Sequence, residues 1–392
     1  MDSQISELTL GQFADLSEGA RRAVAERLYA GRMYPDELIA LAQRTDSLFP
    51  TRIIKVGEST FQREADLIPL DDMCIETDAG SYDLYNYFSW NRVVGCLVIK
   101  EGRTVFERYQ HGVTPQTRWM SMSMAKSVST TLVGAAVQDG HIESIDDLLV
   151  KYLPACEGSA YADVTVRQLM LMASGVQWND VHTDPISERR NMLSLQAELS
   201  PGVILDYVLD RPKVAPSGQI WNYSMGETHM VGALVHVASG RWLSDYLSEK
   251  IWSPFGMQND ASWWLEAPDG LEVAGAGLCV TLQDYVRFGE FMLAGGTIEG
   301  ERILPDGWVE EATRPTIKAE GNRSYGFMWW PTPNRAGSYH EQAYSARGIF
   351  GQYVYVNPAH KTVIGVISSR PKPLGAEIIP DDDFFNAVVN YL

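Results

Sequence analysis

Two β-strand patterns, one in the first third of the chain and one near its end, enclose a long helical stretch. Val93 to Lys100 is a β-rich apolar run, and Thr104 to Tyr109 follows it after a turn. Gln352 to Val356 and Thr362 to Ile367 form a second strand pair across an Asn-Pro turn. Residues 141–265 hold repeated helical signals and few strands. The pattern predicts an α+β fold in which both ends of the chain build one antiparallel sheet and a helical domain is inserted.

Helical periodicity and end signals place individual helices along the chain. We predict helices at 17–28, from Pro35 onward, and at 123–138, 146–153, 165–172, 227–238, 243–251, 282–293 and 383–392. The segment 123–138 is apolar on nearly every side, which predicts a buried helix. Residues 51–90 show no regular pattern and are predicted to be irregular.

The charge balance excludes several classes of partner. The 392 residues contain 32 Lys and Arg and 50 Asp and Glu, for a formal net charge of −18. A chain this acidic repels phosphate backbones and anionic lipids, so we expect no nucleic-acid partner and no membrane association. No apolar run approaches the ~18 residues of a membrane helix. The acidic start shows no secretory signal, so a cytoplasmic location is expected.

The cysteines predict neither a disulfide framework nor a metal site. Four cysteines are scattered along the chain without a C-x-x-C pair. Such cysteines are typical of reduced and mostly buried thiols. We therefore predict no metal and no cofactor.

Ser123 and Lys126, at the start of the predicted buried helix, are candidate catalytic residues. Helical residues three apart lie on one face, with Cβ atoms about 5–6 Å apart. This spacing brings an amine to a hydroxyl, and an unactivated serine needs such a neighbour to become a nucleophile. Ser and Lys also fall at this spacing by chance, so the pair alone does not decide the function.

Further motifs follow in a fixed order. They are Thr165–Leu169 ending at Ser174-Gly175, Pro216–Gly218 with Trp221–Ser224, Pro254–Met257, Gly275–Leu278 with Asp284, and Gly348–Gln352. Together with Ser123–Ser127, this order resembles the serine β-lactamase-like hydrolases. That group includes class C β-lactamases, related esterases, D-amino-acid peptidases and 6-aminohexanoate-dimer hydrolases. The resemblance covers roughly 93–392.

The resemblance implies a domain organisation of the β-lactamase and penicillin-binding-protein type. An α/β/α sandwich would comprise residues 91–140 and 266–392, and the helical domain residues 141–265, with the active site between the two. Residues 1–90 would be an N-terminal extension that packs on the core.

The resemblance also implies roles for individual residues. Ser123 would be the nucleophile. Lys126, which loses ammonium character through desolvation, would take the Ser123 proton directly or share it with Tyr223. Tyr223 would then protonate the leaving alcohol or amine and later activate water. The backbone N–H groups of Ser123 and Ile349 would form the oxyanion hole.

Candidate substrate contacts come from three places in the chain. They are Trp178 and His182, Trp329 and Trp330, and Arg347, Gly348, Phe350 and Gly351. Aromatic walls suit acyl chains, although ordinary packing also explains them. Glycines let a substrate approach the strand backbone closely. The arginine could receive a substrate carboxylate or simply form a surface salt bridge.

Two departures from the resemblance concern the substrate. The β-lactam-active members carry Lys-Thr-Gly or His-Thr-Gly where this chain has Gly348–Gly351. The usual Tyr-x-Asn is replaced by Tyr223-Ser224-Met225. Both changes favour a serine hydrolase of carboxylic esters or small amides. A β-lactamase or D-amino peptidase of the same fold and a non-catalytic binding homologue remain the alternatives. The expected partner is a small ester, amide or lactam, and a homodimer is left open.

Overall fold

The computed structural model describes residues 16–321, 323–333 and 339–392. Its strands are β1 (Thr51–Ile54), β2 (Ile75–Thr77), β3 (Gly80–Tyr82), β4 (Val93–Lys100), β5 (Arg103–Tyr109), β6 (Arg118–Met120), β7 (Ala261–Trp264), β8 (Leu278–Thr281), β9 (Thr297–Ile298), β10 (Glu301–Arg302), β11 (Ile317–Lys318), β12 (Ser324–Tyr325), β13 (Trp330–Pro333), β14 (Tyr339–Gly348), β15 (Gln352–Asn357) and β16 (Thr362–Ser368).

The helices alternate with these strands along the chain. They are α1 (Glu18–Tyr29), α2 (Pro35–Gln43), α3 (Leu84–Trp90), α4 (Met124–Gln138), α5 (Val166–Met170), α6 (Glu188–Glu198), α7 (Val203–Leu209), α8 (Met225–Ser239), α9 (Leu243–Leu247), α10 (Leu282–Leu293), α11 (Trp308–Thr313) and α12 (Asp381–Tyr391). Among these described helices, none has the length and apolar character that crossing a bilayer requires.

The central sheet has six antiparallel strands in the order β13-β14-β15-β16-β4-β5. Strand β16, from the end of the chain, pairs with β4, and Val363 lies opposite Ile99. The predicted sheet built from both ends of the chain is therefore confirmed. Glu101 and Gly102 connect β4 to β5 with positive φ angles of 51° and 78°, as a two-residue type I′ hairpin turn requires.

Helices cover both faces of this sheet. Side chains alternate along β16, so Val363 and Ile367 join the larger core with α4 and α10. Ile364 and Val366 join a second core with α3 and α12. The fold is α+β, with the sheet between two helical layers, as predicted.

Helix α4 is buried on all sides over most of its length, as its composition predicts. Several of its polar side chains donate to main-chain carbonyls from elsewhere in the fold. Ser127 Oγ donates to Met328 O at 2.7 Å, and Ser129 Oγ donates to Ala274 O at 2.8 Å. These bonds fix the rotation of α4 and, with it, the direction in which its first turn points.

The prediction of a helix at 146–153 is wrong. The structure has short 3₁₀ turns at Leu149–Lys151 and Pro154–Cys156 instead. Leu149 N donates to Val164 O at 2.8 Å, and Leu148 forms a bridge with Thr165. These tertiary backbone bonds compete with helical ones, and the following proline cannot extend a helix.

The segment 51–90 is more regular than predicted. Strand β1 pairs with β7, in a second sheet of order β1-β7-β8-β6. Helix α3 is capped by Asp83, which accepts from Asn86 N, and it buries Tyr87 against Phe384 of α12. These elements are too short for periodicity to reveal them, because packing against distant parts of the chain stabilises them.

The cysteines are free thiols. Cys74 is exposed, whereas Cys96, Cys156 and Cys279 are buried. Burial raises the pKa of Cys279 to about 11 and that of Cys156 to about 12. The thiolate forms needed for nucleophilic chemistry are therefore disfavoured at these buried positions near neutral pH.

Candidate active site

The predicted nucleophile lies at a strained turn between β6 and α4. Ser123 occupies the N-cap position of α4 and is only 7% exposed. Met122, just before it, has a φ of +45°, which is costly for a residue with a side chain. A Cβ atom on Gly348 would lie 2.5 Å from Ser121 O, so the end of β14 presses directly on this turn. The turn and the strand end are thereby held against each other.

Lys126 lies one helical turn later and is 1% exposed. A hydrogen bond of 3.1 Å links its Nζ to Ser123 Oγ. Nζ also donates to Gly275 O at 3.0 Å and contacts Met225 Sδ at 3.6 Å. The amine is thus held between the serine, the loop before β8 and the start of α8.

Burial changes the protonation of Lys126. Desolvation is the largest effect and lowers its pKa from 10.5 to about 7, against the attraction of the nearby Asp180 carboxylate, while the Arg189 charge adds to the lowering. The neutral amine is therefore far more accessible near pH 7 than in an exposed lysine. A neutral amine beside a hydroxyl can accept the hydroxyl proton.

Tyr223 completes the predicted set from the segment before α8. It is partly buried, and Lys126 Nζ lies 5.0 Å from the centre of its ring. Burial raises the pKa of Tyr223 well above 10, and the Asp180 charge adds to the increase, whereas the Ser123 hydroxyl and Arg189 lower it. The phenol therefore stays protonated near neutral pH, which suits a proton donor better than a base.

The two predicted oxyanion-hole amides are available for a ligand. Within the described residues, neither Ser123 N nor Ile349 N donates to a backbone carbonyl. Gly348, the residue before Ile349, lies against the Ser121-Met122 backbone, because its missing side chain lets β14 approach closely. Two free amides that point at one position can stabilise the negative charge of a tetrahedral intermediate, so the prediction for Ser123 N and Ile349 N stays open.

One predicted pocket residue, Trp330, joins an aromatic cluster at Tyr223. The two rings stack with centroids 6.3 Å apart. Tyr325 and Trp221 complete the cluster through edge contacts with Trp330. Neither residue was predicted as a contact: Trp221 was noted only as part of the motif that contains Tyr223, and Tyr325 is distant from Tyr223 in sequence.

Trp178 and His182 lie in the loop after Ser174-Gly175. The Trp178 ring packs so closely on Gly226 of α8 that a Cβ there would lie 2.6 Å from it. His182 is buried and stacks on Tyr29 of α1. Desolvation lowers its pKa to about 4, so the ring is neutral at pH 7. Both side chains are therefore packed against helices, and their contact with a substrate stays a prediction.

The other predicted contacts are engaged in packing or pairing. Trp329 is fully buried and stacks on Phe288. Phe350 is buried too, at a φ of +65°, and precedes Gly351 in the turn after β14. Arg347 Nη2 forms an ion pair of 2.5 Å with Asp382 of α12, on the opposite face of the sheet from α4. The alternation of side chains along β14 accounts for this direction.

Asp180 was not predicted as a site residue. Its Oδ1 accepts from Trp178 Nε1 at 2.8 Å and from Met225 N at 3.0 Å. It thus connects the loop after Ser174-Gly175 to the start of α8. A single acid in an irregular loop has no spacing rule that assigns it to a site, so no sequence signal pointed to it.

Comparisons with known proteins give the family. A sequence model of the Beta-lactamase family matches residues 91–382. The 6-aminohexanoate-dimer hydrolase of Paenarthrobacter ureafaciens is 28% identical over 292 residues, which cover 71% of this chain and 72% of that protein.

Solved structures share the fold. A Bacillus anthracis protein proposed to be a 6-aminohexanoate-dimer hydrolase superposes with a TM-score of 0.79 at 22% identity, covering 91% of this chain and 93% of that one. A penicillin-binding protein from Bacillus halodurans gives 0.60 at 17% identity, covering 79% and 100%. Since the family's sequence model matches well over half of the chain, the protein belongs to the Beta-lactamase family and is a serine hydrolase.

Proposed function

We propose that this protein hydrolyses small amides or carboxylic esters through an acyl-enzyme formed on Ser123. The observation that carries the proposal is the 3.1 Å contact between Ser123 Oγ and a buried Lys126 amine whose pKa is about 7. The reaction would take place in the cleft between the sheet domain, residues 91–140 and 266–392, and the helical domain, residues 141–265.

The proposed reaction begins with Lys126 in its neutral form. Lys126 accepts the hydroxyl proton while Ser123 Oγ attacks the carbonyl carbon of the substrate. The amides of Ser123 and Ile349 stabilise the oxyanion. Tyr223 donates a proton to the leaving amine or alcohol and regains it from Lys126. Water then attacks the acyl-enzyme, and the same groups move its proton in reverse.

The surroundings of the site favour linear amides and esters over β-lactams. A β-lactam substrate carries a carboxylate, which the related lactamases receive on a polar third motif. Here Phe350 is buried in that motif, and Arg347 is paired with Asp382 on the other face of the sheet. No cation from this strand is left for the carboxylate among the residues that the structure describes. The relative named as a 6-aminohexanoate-dimer hydrolase also supports an amide substrate.

The test compares three substrate classes on matched variants. Wild type, Ser123→Ala and the control Ser121→Ala are assayed with p-nitrophenyl acyl esters, a linear amide dimer and nitrocefin. Ser121 is a neighbouring buried serine with Met124, not lysine, three residues on. We expect ester or amide turnover by wild type and Ser121→Ala, loss in Ser123→Ala, and much slower nitrocefin turnover. Equal turnover by wild type and Ser123→Ala would reject the proposal.

A further inference from the structure

Asp180 links the loop after Ser174-Gly175 to the start of α8 through one carboxylate oxygen. Its Oδ1 accepts from the Trp178 indole and from Met225 N, the first amide of the 15-residue helix α8. Met225 lies two residues after Tyr223, and its Sδ contacts Lys126 Nζ at 3.6 Å. The position of Tyr223 relative to Lys126 therefore depends on a turn that Asp180 holds.

The second oxygen of this carboxylate is buried without a partner. Asp180 Oδ2 accepts no hydrogen bond from any residue that the structure describes. The nearest basic group is His182, whose Nε2 lies 4.0 Å away, and that ring is neutral at pH 7 because burial lowers its pKa to about 4. A buried carboxylate oxygen without a donor costs free energy, so its retention beside the proposed site calls for a functional reason.

We propose that Asp180 is a positioning residue for the Ser123 reaction, which holds the turn that carries Tyr223 and supplies the negative charge that Lys126 faces. The inference rests on the proposed function, because it assigns to Asp180 a role in that same reaction. It goes further in giving the site a fourth functional side chain from the loop of the helical region.

The proposed effect of the Asp180 charge follows from the charged groups around Lys126. Desolvation and the Arg189 guanidinium lower the Lys126 pKa, and the Asp180 carboxylate raises it. The other titratable groups on which Asp180 acts are Tyr223, Tyr325 and His182, all of whose pKa values it raises. Without this carboxylate, the Lys126 pKa would fall below about 7. Lys126 would then be neutral over a wider pH range but a weaker base.

Two substitutions separate charge from geometry. Asp180→Asn keeps an acceptor oxygen for the Trp178 indole and Met225 N but removes the charge. Asp180→Glu keeps the charge but displaces the oxygen by one methylene. For each folded variant, kcat/KM on a p-nitrophenyl acyl ester is measured from pH 5 to 10, and the unfolding temperature is recorded in parallel.

We expect Asp180→Asn to move the acidic limb of the profile to lower pH by roughly one unit. Asp180→Glu should leave that limb within about 0.5 unit of wild type while lowering the plateau roughly tenfold. An unmoved limb in Asp180→Asn, or the same displacement in Asp180→Glu, overturns the proposal. If Asp180→Asn does not fold, the plateau of the Asp180→Glu profile decides the positioning role, and a plateau equal to that of wild type overturns the proposal.

The outcome is separable from that of the proposed function. Labelling of wild type but not of Ser123→Ala by a fluorophosphonate establishes Ser123 as the nucleophile without reference to Asp180. If both proteins label alike, the proposed function fails first. If labelling depends on Ser123 but the acidic limb of the kcat/KM profile does not move in Asp180→Asn, only the proposed role of Asp180 is rejected.

Discussion

The burial of Lys126 should make the protein less stable than it could be, and the cost should depend on pH. The unfolded lysine has a pKa of 10.5 and the folded one about 7, so the unfolded state binds more protons between these values. Stability therefore rises with pH in this window. At 1.36 kcal/mol per pKa unit, the cost is about 4–5 kcal/mol at and below pH 7. It falls to about 2 kcal/mol at pH 9.

Lys126→Met tests this magnitude, because Met fills a similar volume and cannot be protonated. The variant loses the contacts to Ser123 Oγ and Gly275 O, which adds a cost that does not depend on pH. We expect the free energy of unfolding of wild type, relative to Lys126→Met, to rise by about 2–3 kcal/mol between pH 7 and 9. The assay is urea unfolding followed by tryptophan fluorescence.

A surface substitution provides the control for this measurement. Lys318 is exposed, and Lys318→Met should show no comparable change in the difference from wild type over the same pH range. A difference between wild type and Lys126→Met that stays constant from pH 6 to 9 would contradict the reasoning. It would mean that Lys126 keeps an ordinary pKa in the folded protein and is fully protonated at pH 7.

Three further substitutions test other parts of the site. Tyr223→Phe should lower kcat on esters by roughly 10²- to 10⁴-fold while the fold is kept, because the phenol is the proposed proton donor; activity near wild type would exclude that role. Gly348→Ala should destabilise the protein by about 1–3 kcal/mol and reduce acylation, since its Cβ would lie 2.5 Å from Ser121 O; unchanged unfolding and labelling would refute the close approach. Arg347→Gln should leave ester turnover within about threefold of wild type yet cost about 3 kcal/mol of unfolding free energy through the loss of the Asp382 pair, whereas a selective rise in KM would point to substrate contact.

Local sequence patterns predicted the helices and strands that are stabilised by residues of the same element. The amphipathic run 282–293 forms α10 with those bounds, and Thr165 caps α5 in a capping box with Gln168. The hairpin of β4 and β5 follows from its strand composition and turn. In these cases the residues that stabilise an element are its own neighbours in sequence.

Features that depend on distant parts of the chain were not predictable in this way. The helix predicted at 146–153 is replaced by backbone bonds to 164 and 165. Asp180 acquires its significance only when the fold places it at the start of α8, 45 residues later. The alternation of side chains along a strand determines the face of the sheet on which Arg347 lies. This could be predicted only once the bounds of its strand and the location of α12 were known.

One measurement tests the central claim most directly, namely whether Ser123 is the activated nucleophile. Wild type, Ser123→Ala and Ser121→Ala are treated with a fluorophosphonate at pH 8, and the modified peptide is located by mass spectrometry. We predict one adduct per chain in wild type and in Ser121→Ala, on Ser123, and none in Ser123→Ala. An adduct on another residue, or equal modification of Ser123→Ala, would contradict the account.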